Sequence, residues 1–265
     1  MSECKHISLA QPLSALAPIT LGEMDSIKLM NRIDSKYLTD EAHLVEILRD
    51  AAEAGYRVLE TEGQKLSLYD SIYYDTASLK MFSDHHNRRL KRQKVRTRCY
   101  VDSRLAFLEI KRKNNKGRTS KKRIAIPLKE LQDFSSDAAA CEYLSQKSWF
   151  TAPELSPEME TIFSRITLVN PAKTERLTID TCLQFNNLRT GLSASLRDAV
   201  IIELKQDGRA ESQMKRILLD HRIKQVRISK YCVAVTLTDP AARSGRFKSK
   251  VRAIEKTINH KICIQ

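Results

Sequence analysis

Along residues 94–126, charged and uncharged positions alternate with a period of two. In KVRTRCY (94–100), FLEIKRK (107–113) and SKKRIAI (120–126) the charged side chains fall two apart. They are Lys94, Arg96 and Arg98, then Glu109, Lys111 and Lys113, then Lys121 and Arg123. On a strand, residues two apart share a face. Three neighbouring strands are therefore expected to offer one row of cations with a single carboxylate. Val95, Cys99, Phe107 and Ile110 are expected on the opposite face. The same alternation predicts strands over 31–38, 66–74, 160–169, 176–185, 199–205 and 226–237. The first carries Arg32, Asp34 and Lys36 on one side. The last four carry Arg165, then Arg176 and Asp180, then Glu203 and Lys205, then Arg227, Ser229 and Lys230.

Helical periodicity is rarer. Leu44, Ile47, Leu48 and Ala51 form an apolar stripe that predicts a helix over 41–54, capped by Thr39 or Asp40 and ended by Gly55. Shorter helices are expected over 21–27, 77–84, 128–134, 138–147 and 212–221, and the two prolines of 151–160 mark a connector. Mostly antiparallel strands with interspersed helices give an α+β class. A charged face on strand after strand, backed by an apolar face that helices can cover, predicts an inverted barrel. Closing it would remove the sheet edges and enclose a polar cavity. The division expected is an N-terminal segment (1–25), a barrel domain (26–240) and a basic tail (241–265). In the tail, Phe247, Val251, Ile254, Ile258 and Ile262 could line one side of a helix. That helix would pack on the barrel or lie on a membrane surface.

Charge sharpens this picture. The 265-residue chain carries a net +14, and residues 88–123 hold sixteen Lys and Arg against Asp102 and Glu109. Like charges about 8 Å apart at an effective dielectric of about 20 repel by roughly 2 kcal/mol. A cavity lined with many cations therefore needs interior carboxylates or a bound polyanion. Aromatic residues make up only 6% and do not interleave with the basic strands, which argues against nucleic acid. The chain has neither GxxxxGK[ST] nor GxGxxG, so side chains would have to hold any phosphates. A divalent metal, Mg²⁺ or Mn²⁺, would use carboxylates, and Glu203, Glu109 and Asp34 are the candidates. No apolar run approaches the ~18–20 residues of a membrane span, and no secretory leader is evident. The six cysteines form no CxxC pair, so reduced thiols and a cytoplasmic location are expected. His85 and His86 read as a solvated loop pair.

The ordered set NRIDSKY, KVRTRCY, FLEIKRK, KKRIAI, RLTID, IIELK and ISKY resembles the catalytic domain of the vacuolar transporter chaperone (VTC) polyphosphate polymerases. These belong to the triphosphate tunnel metalloenzymes, a CYTH-like superfamily. The resemblance spans about residues 26–238. It implies an antiparallel eight-stranded β-tunnel with a basic lumen and helices outside. It also implies transfer of the γ-phosphate of ATP to inorganic polyphosphate with Mn²⁺ or Mg²⁺. By the same likeness Lys36, Arg96, Arg98, Lys111, Lys121, Arg165 and Lys230 would clamp phosphates, and Glu203 would hold the metal. Arg227 and Ser229 match the last-strand group, Arg227 standing where the family usually has Lys. Asp34 stands where many members carry Glu. Arg32, Lys94, Arg123 and Lys205 share these faces and are further candidates for substrate contact. A tripolyphosphate or nucleoside triphosphate hydrolase on the same scaffold, or a non-catalytic polyphosphate-binding module, are the other readings. Export of product would need a separate membrane protein, with the chain at the inner face of the membrane.

Overall fold

The computed structural model describes residues 7–25, 32–208 and 211–265. Cys4, the end of the helix expected over 21–27 and the first residue of the strand expected over 31–38 lie outside them. The N-terminal part runs α1 (Ile7–Ser14), β1 (Ala17–Ile19), α2 (Leu21–Asp25), β2 (Arg32–Asp40), α3 (Glu41–Glu53), β3 (Arg57–Leu59), β4 (Ser67–Asp75) and α4 (Lys80–His86). Next come β5 (Arg92–Tyr100), β6 (Leu105–Lys113), β7 (Thr119–Ile126), α5 (Ala138–Lys147), β8 (Ser156–Val169) and β9 (Glu175–Asn187). The chain ends with β10 (Ser193–Leu196), β11 (Ala199–Asp207), α6 (Gln213–Asp220), α7 (Lys230–Thr238), α8 (Gly245–Ile258) and β12 (Cys263–Ile264).

Eight long strands pair in the order β2, β11, β9, β8, β4, β5, β6, β7, every neighbour antiparallel. The sheet curls into an open half-barrel. β2 and β7, which a closed barrel would join, do not pair among the described residues. The edge of β2 is already taken: Val226 N donates to Lys36 O at 2.7 Å, and Tyr37 bridges Gln225. On β7, Lys121, Lys122 and Arg123 are exposed, and such cations discourage edge pairing.

Alternation places apolar residues on the convex side, where helices cover them. α1, α3 and α6 pack there on β2, β8, β9 and β11 through Leu44, Ile47, Leu48, Ile166 and Leu177. Asp40 starts α3 by accepting from His43 N at 2.9 Å. Gly55 follows it with φ +76°, where a Cβ would meet Pro171 Cγ at 3.1 Å. α5 covers β4 to β7 through Ile72, Val95, Leu108, Ile110 and Leu144. On the concave side α7 and α8 pack, and their Tyr231, Val233, Val235, Phe247 and Ile254 join one core with Phe163 and Phe185.

Several sequence expectations give way here. The strand expected over 226–237 is instead helix α7. Its run from Tyr231 to Val235 is buried on every side, and a short all-apolar run has no period to tell helix from strand. Ser229 decides the matter locally by capping the Cys232 N–H. The helix expected over 128–134 shrinks to one 3₁₀ turn, Leu128–Glu130. β8 begins at Ser156, inside the expected connector, with Pro157 near its end where a missing N–H is tolerated. Phe107 lies on the Glu109 face, under the Arg123 guanidinium at 4.5 Å, because both residue numbers are odd on one strand. His85 and His86 sit half-buried in α4, and His85 Nδ1 meets Cys232 Sγ at 3.1 Å.

Candidate functional site

The register of the sheet assembles the concave wall. Arg96 stands opposite Glu109, Lys94 opposite Lys111, and Lys111 opposite Lys121 across β5, β6 and β7. Glu203 stands opposite Lys36, and Arg165 opposite Asp180. Arg96 binds Glu109 Oε2 through Nε (2.8 Å) and Nη2 (2.6 Å), a forked contact, while Lys121 takes the other oxygen. Lys122 has the wrong parity and stays outside. Arg165 forks onto Asp180 at 2.6 and 2.8 Å, and Lys230, at the start of α7, binds the same carboxylate. Lys94 Nζ donates to Ser229 Oγ at 2.7 Å, and Arg98 Nε to Ser71 Oγ at 2.9 Å. Aromatic rings floor these cations: Arg165 lies 4.8 Å from the Tyr69 ring centre and Lys230 4.3 Å from that of Phe163.

The two ends of the sheet converge electrostatically. Lys111 on β6 lies in the field of Glu203 on β11 and of Lys36 on β2. Burial opposes ionisation of Glu203, but Lys36, Lys205, Lys111 and Arg165 hold its carboxyl well below the usual range. Burial, set against Glu203, pulls Lys205 down to about 8; burial, set against Asp180, does the same to Lys230. Tyr73 donates nothing to a described group; its hydroxyl accepts from Arg96 Nη1 at 2.9 Å. Burial works against its phenolate, yet Arg96, Lys94, Arg98 and Lys230 together draw it down to about 7.

Nine cations (Lys36, Lys94, Arg96, Arg98, Lys111, Lys121, Arg165, Lys205, Lys230) thus share this wall with three carboxylates (Glu109, Asp180, Glu203), an excess of six. Lys111 and Lys205 have no ion pair within 4 Å among the described residues. The carboxylates differ in what they can still bind. Glu109 and Asp180 are each held by two cations. Glu203 has one close partner among the described residues, Lys36 at 3.7 Å, which leaves oxygen lone pairs for a metal. The described residues contain no cluster of three acidic, histidine or cysteine ligands, so any ion here would complete its shell with phosphate oxygens and water.

Not every expected residue joins. Arg32 and Asp34 share the Lys36 face, with Asp34 opposite Lys205, but they lie at the exposed start of β2 and pair with each other at 2.6 Å. Arg123 shares the face of Glu109 and Lys121 but is exposed, its guanidinium over the Phe107 ring and donating to Tyr100 Oη at 3.4 Å. Arg227 is exposed beside Lys113. Asp180, visible in the sequence only as one more charge, is the hub of two cations. Tyr69, Ser71 and Tyr73 were passed over because they carry no charge, though they fall two apart on β4 just as the cations do on β5.

A scan against protein families matches the VTC domain over residues 31–238. The chain belongs to the VTC-domain family. Membership places it among tunnel-type proteins that handle polyphosphate or triphosphate, whose chemistry generally depends on a divalent metal. Comparison with curated proteins finds no match. Among solved structures, a putative adenylate cyclase from Vibrio parahaemolyticus is 10% identical, with TM-score 0.44, covering 76% of this chain and 96% of its own. An adenylyl cyclase candidate from Hippeastrum, described as having a dominant triphosphatase activity, is 15% identical, with TM-score 0.44, over 76% and 94%. PH1819 from Pyrococcus horikoshii OT3 is 13% identical, with TM-score 0.42, over 75% and 96%. In the VTC-domain chain no helix among the described residues is long and apolar enough to cross a membrane.

Proposed function

We propose that this VTC-domain chain is a metal-dependent polyphosphate polymerase that moves the γ-phosphoryl of ATP onto a growing polyphosphate chain. The observation that carries the reading is the register that lines one wall with cations, six in surplus, around Glu203, whose one close partner among the described residues is Lys36 at 3.7 Å. A triphosphate and an acceptor phosphate chain are the polyanions that such a wall fits. Lys36, Lys111 and Lys205 would contact phosphate oxygens as point charges. Arg98 would present its guanidinium, and Arg96 and Arg165 would hold position while their forks stay on Glu109 and Asp180. Ser229 would hold Lys94 toward the substrate. Glu203 would ligate a divalent ion, Mn²⁺ or Mg²⁺, which when bound supplies charge neutralisation at the transferring phosphoryl. We assign Glu109 to internal counter-charge, since both its oxygens are engaged.

Phosphoryl transfer asks mainly for alignment and charge stabilisation. The acceptor phosphate is anionic at neutral pH and needs no general base. That agrees with the state of the candidate bases: Glu109 and Asp180 are tied to cations, and His85 is kept neutral, its pKa pulled down to about 2 by burial and by Lys94 and Arg92. Incubation of pure protein with ATP and Mn²⁺ or Mg²⁺ tests the proposal. Long phosphate chains on a gel are expected; orthophosphate as the sole product would make the chain a hydrolase instead.

A further inference from the structure

A second cationic pocket lies outside the concave wall, where β5 begins, β6 ends and β7 starts. It is about 570 Å³, and Lys91, Arg112, Lys113 and Arg118 line it beside Trp149, with no carboxylate in the lining. The pocket is built rather than incidental. Trp149 N donates to Oε1 of Gln93, which is 2% exposed on β5. Arg112 donates to Lys147 O at 3.3 Å and covers the indole ring at 4.8 Å. The pocket meets the wall at Lys113, while Arg112 and Ser120, one residue off in register, face the other side of the sheet. Arg92 stands opposite Lys113, the next same-face pair after Lys94 and Lys111. Lys113 lies in the field of Arg92 and of Arg227. The cation row Arg98, Arg96, Lys94, Arg92 on β5 therefore ends opposite Lys113, at the edge of this pocket.

We propose that the rim pocket binds inorganic polyphosphate chains too long for the concavity, holding the part that emerges past Arg92 and Lys113. The inference rests on the polyphosphate reading of the concave wall. A stack of bases would suit the pocket less well, because its one aromatic ring is already covered by a guanidinium and no second ring lines it. A phosphate chain needs only successive cations, and a chain spanning wall and rim gains affinity from both without any new contact in the concavity.

Trp149 is the sole tryptophan, so its fluorescence reports on this pocket directly. Full-length protein is titrated with tripolyphosphate and with long-chain polyphosphate, following Trp149 emission and, by calorimetry, total binding. Long chains are expected to change the emission and to bind more tightly than tripolyphosphate, which should bind with the emission unchanged. The double variant Lys91→Glu, Arg118→Glu, at two exposed positions, should weaken long-chain binding about tenfold or more and leave tripolyphosphate affinity within about twofold. Equal emission changes with both ligands, or long-chain affinity unmoved in the variant, would overturn the rim site alone. A single-stranded oligonucleotide producing the same emission change and the same loss in the variant would also overturn it. Absence of any tripolyphosphate binding by calorimetry would instead remove the reading of the wall, and the rim proposal with it.

Discussion

Asp180 is almost fully buried and holds Arg165 and Lys230 together. Removing its charge while keeping its shape leaves two enclosed cations with no counter-ion. Asp180→Asn should cost about 3–5 kcal/mol of stability, read by denaturant unfolding, and saturating tripolyphosphate should recover part of it. Glu203 behaves differently, because its carboxylate opposes the surplus of cations. Glu203→Ala should abolish product yet leave metal-free tripolyphosphate binding equal or tighter; loss of binding would show that Glu203 builds the site rather than ligating a metal. Lysine titration gives a third expectation. Lys205 and Lys230 have folded pKa values near 8, below the unfolded value, so the unfolded chain holds more protons above that point. The empty protein should therefore gain stability as pH rises from about 8 toward about 10, while tripolyphosphate affinity falls over the same interval. Calorimetry across that range checks both signs. At this scale the sequence was informative for charged residues and silent for uncharged ones. Lys36, Arg96, Lys111 and Glu203 announced themselves by parity. Tyr73 and Ser71 obey the same parity, but a period-two reading of a tyrosine cannot tell a site floor from ordinary core.

Among the elements, α3 and the three basic strands were legible because each pairs a clear period with a capping or turn residue, as Asp40 and Gly55 do for α3. α7 was not. Its residues Tyr231 and Val233 favour strands by propensity, and the Ser229 cap together with burial against the concave core makes them helical. The consequence is functional. As a strand, this segment would alternate Ser229 and Lys230 between faces; as a helix, it aims its capped N-terminus, with Ser229 on Lys94, at the cation wall. α8 supports that placement from behind. Ile254 is fully buried against the same core, so Ile254→Ala should cost about 2–5 kcal/mol in unfolding and lower activity by loosening α7. A stability change under about 0.5 kcal/mol would mean that the tail is an appendage and not part of the core.

For the whole molecule, the open half-barrel resolves a conflict between charge and closure. Nine cations on one wall repel, three carboxylates relieve part of that, and the remaining excess is what a phosphate chain can satisfy. The sequence showed the charge but not the gap between β2 and β7, because the hydrogen bonds that cover the β2 edge come from residues 225–226, far away in the chain. The most direct test of this arrangement is calorimetric titration of the intact chain with tripolyphosphate at two salt concentrations. It should show one site per chain, with affinity falling steeply as salt rises and by about tenfold or more in Arg98→Ala and in Lys111→Ala. No binding, or binding that neither substitution weakens, would contradict the account by showing that the concave cations do not act as a single phosphate-holding surface.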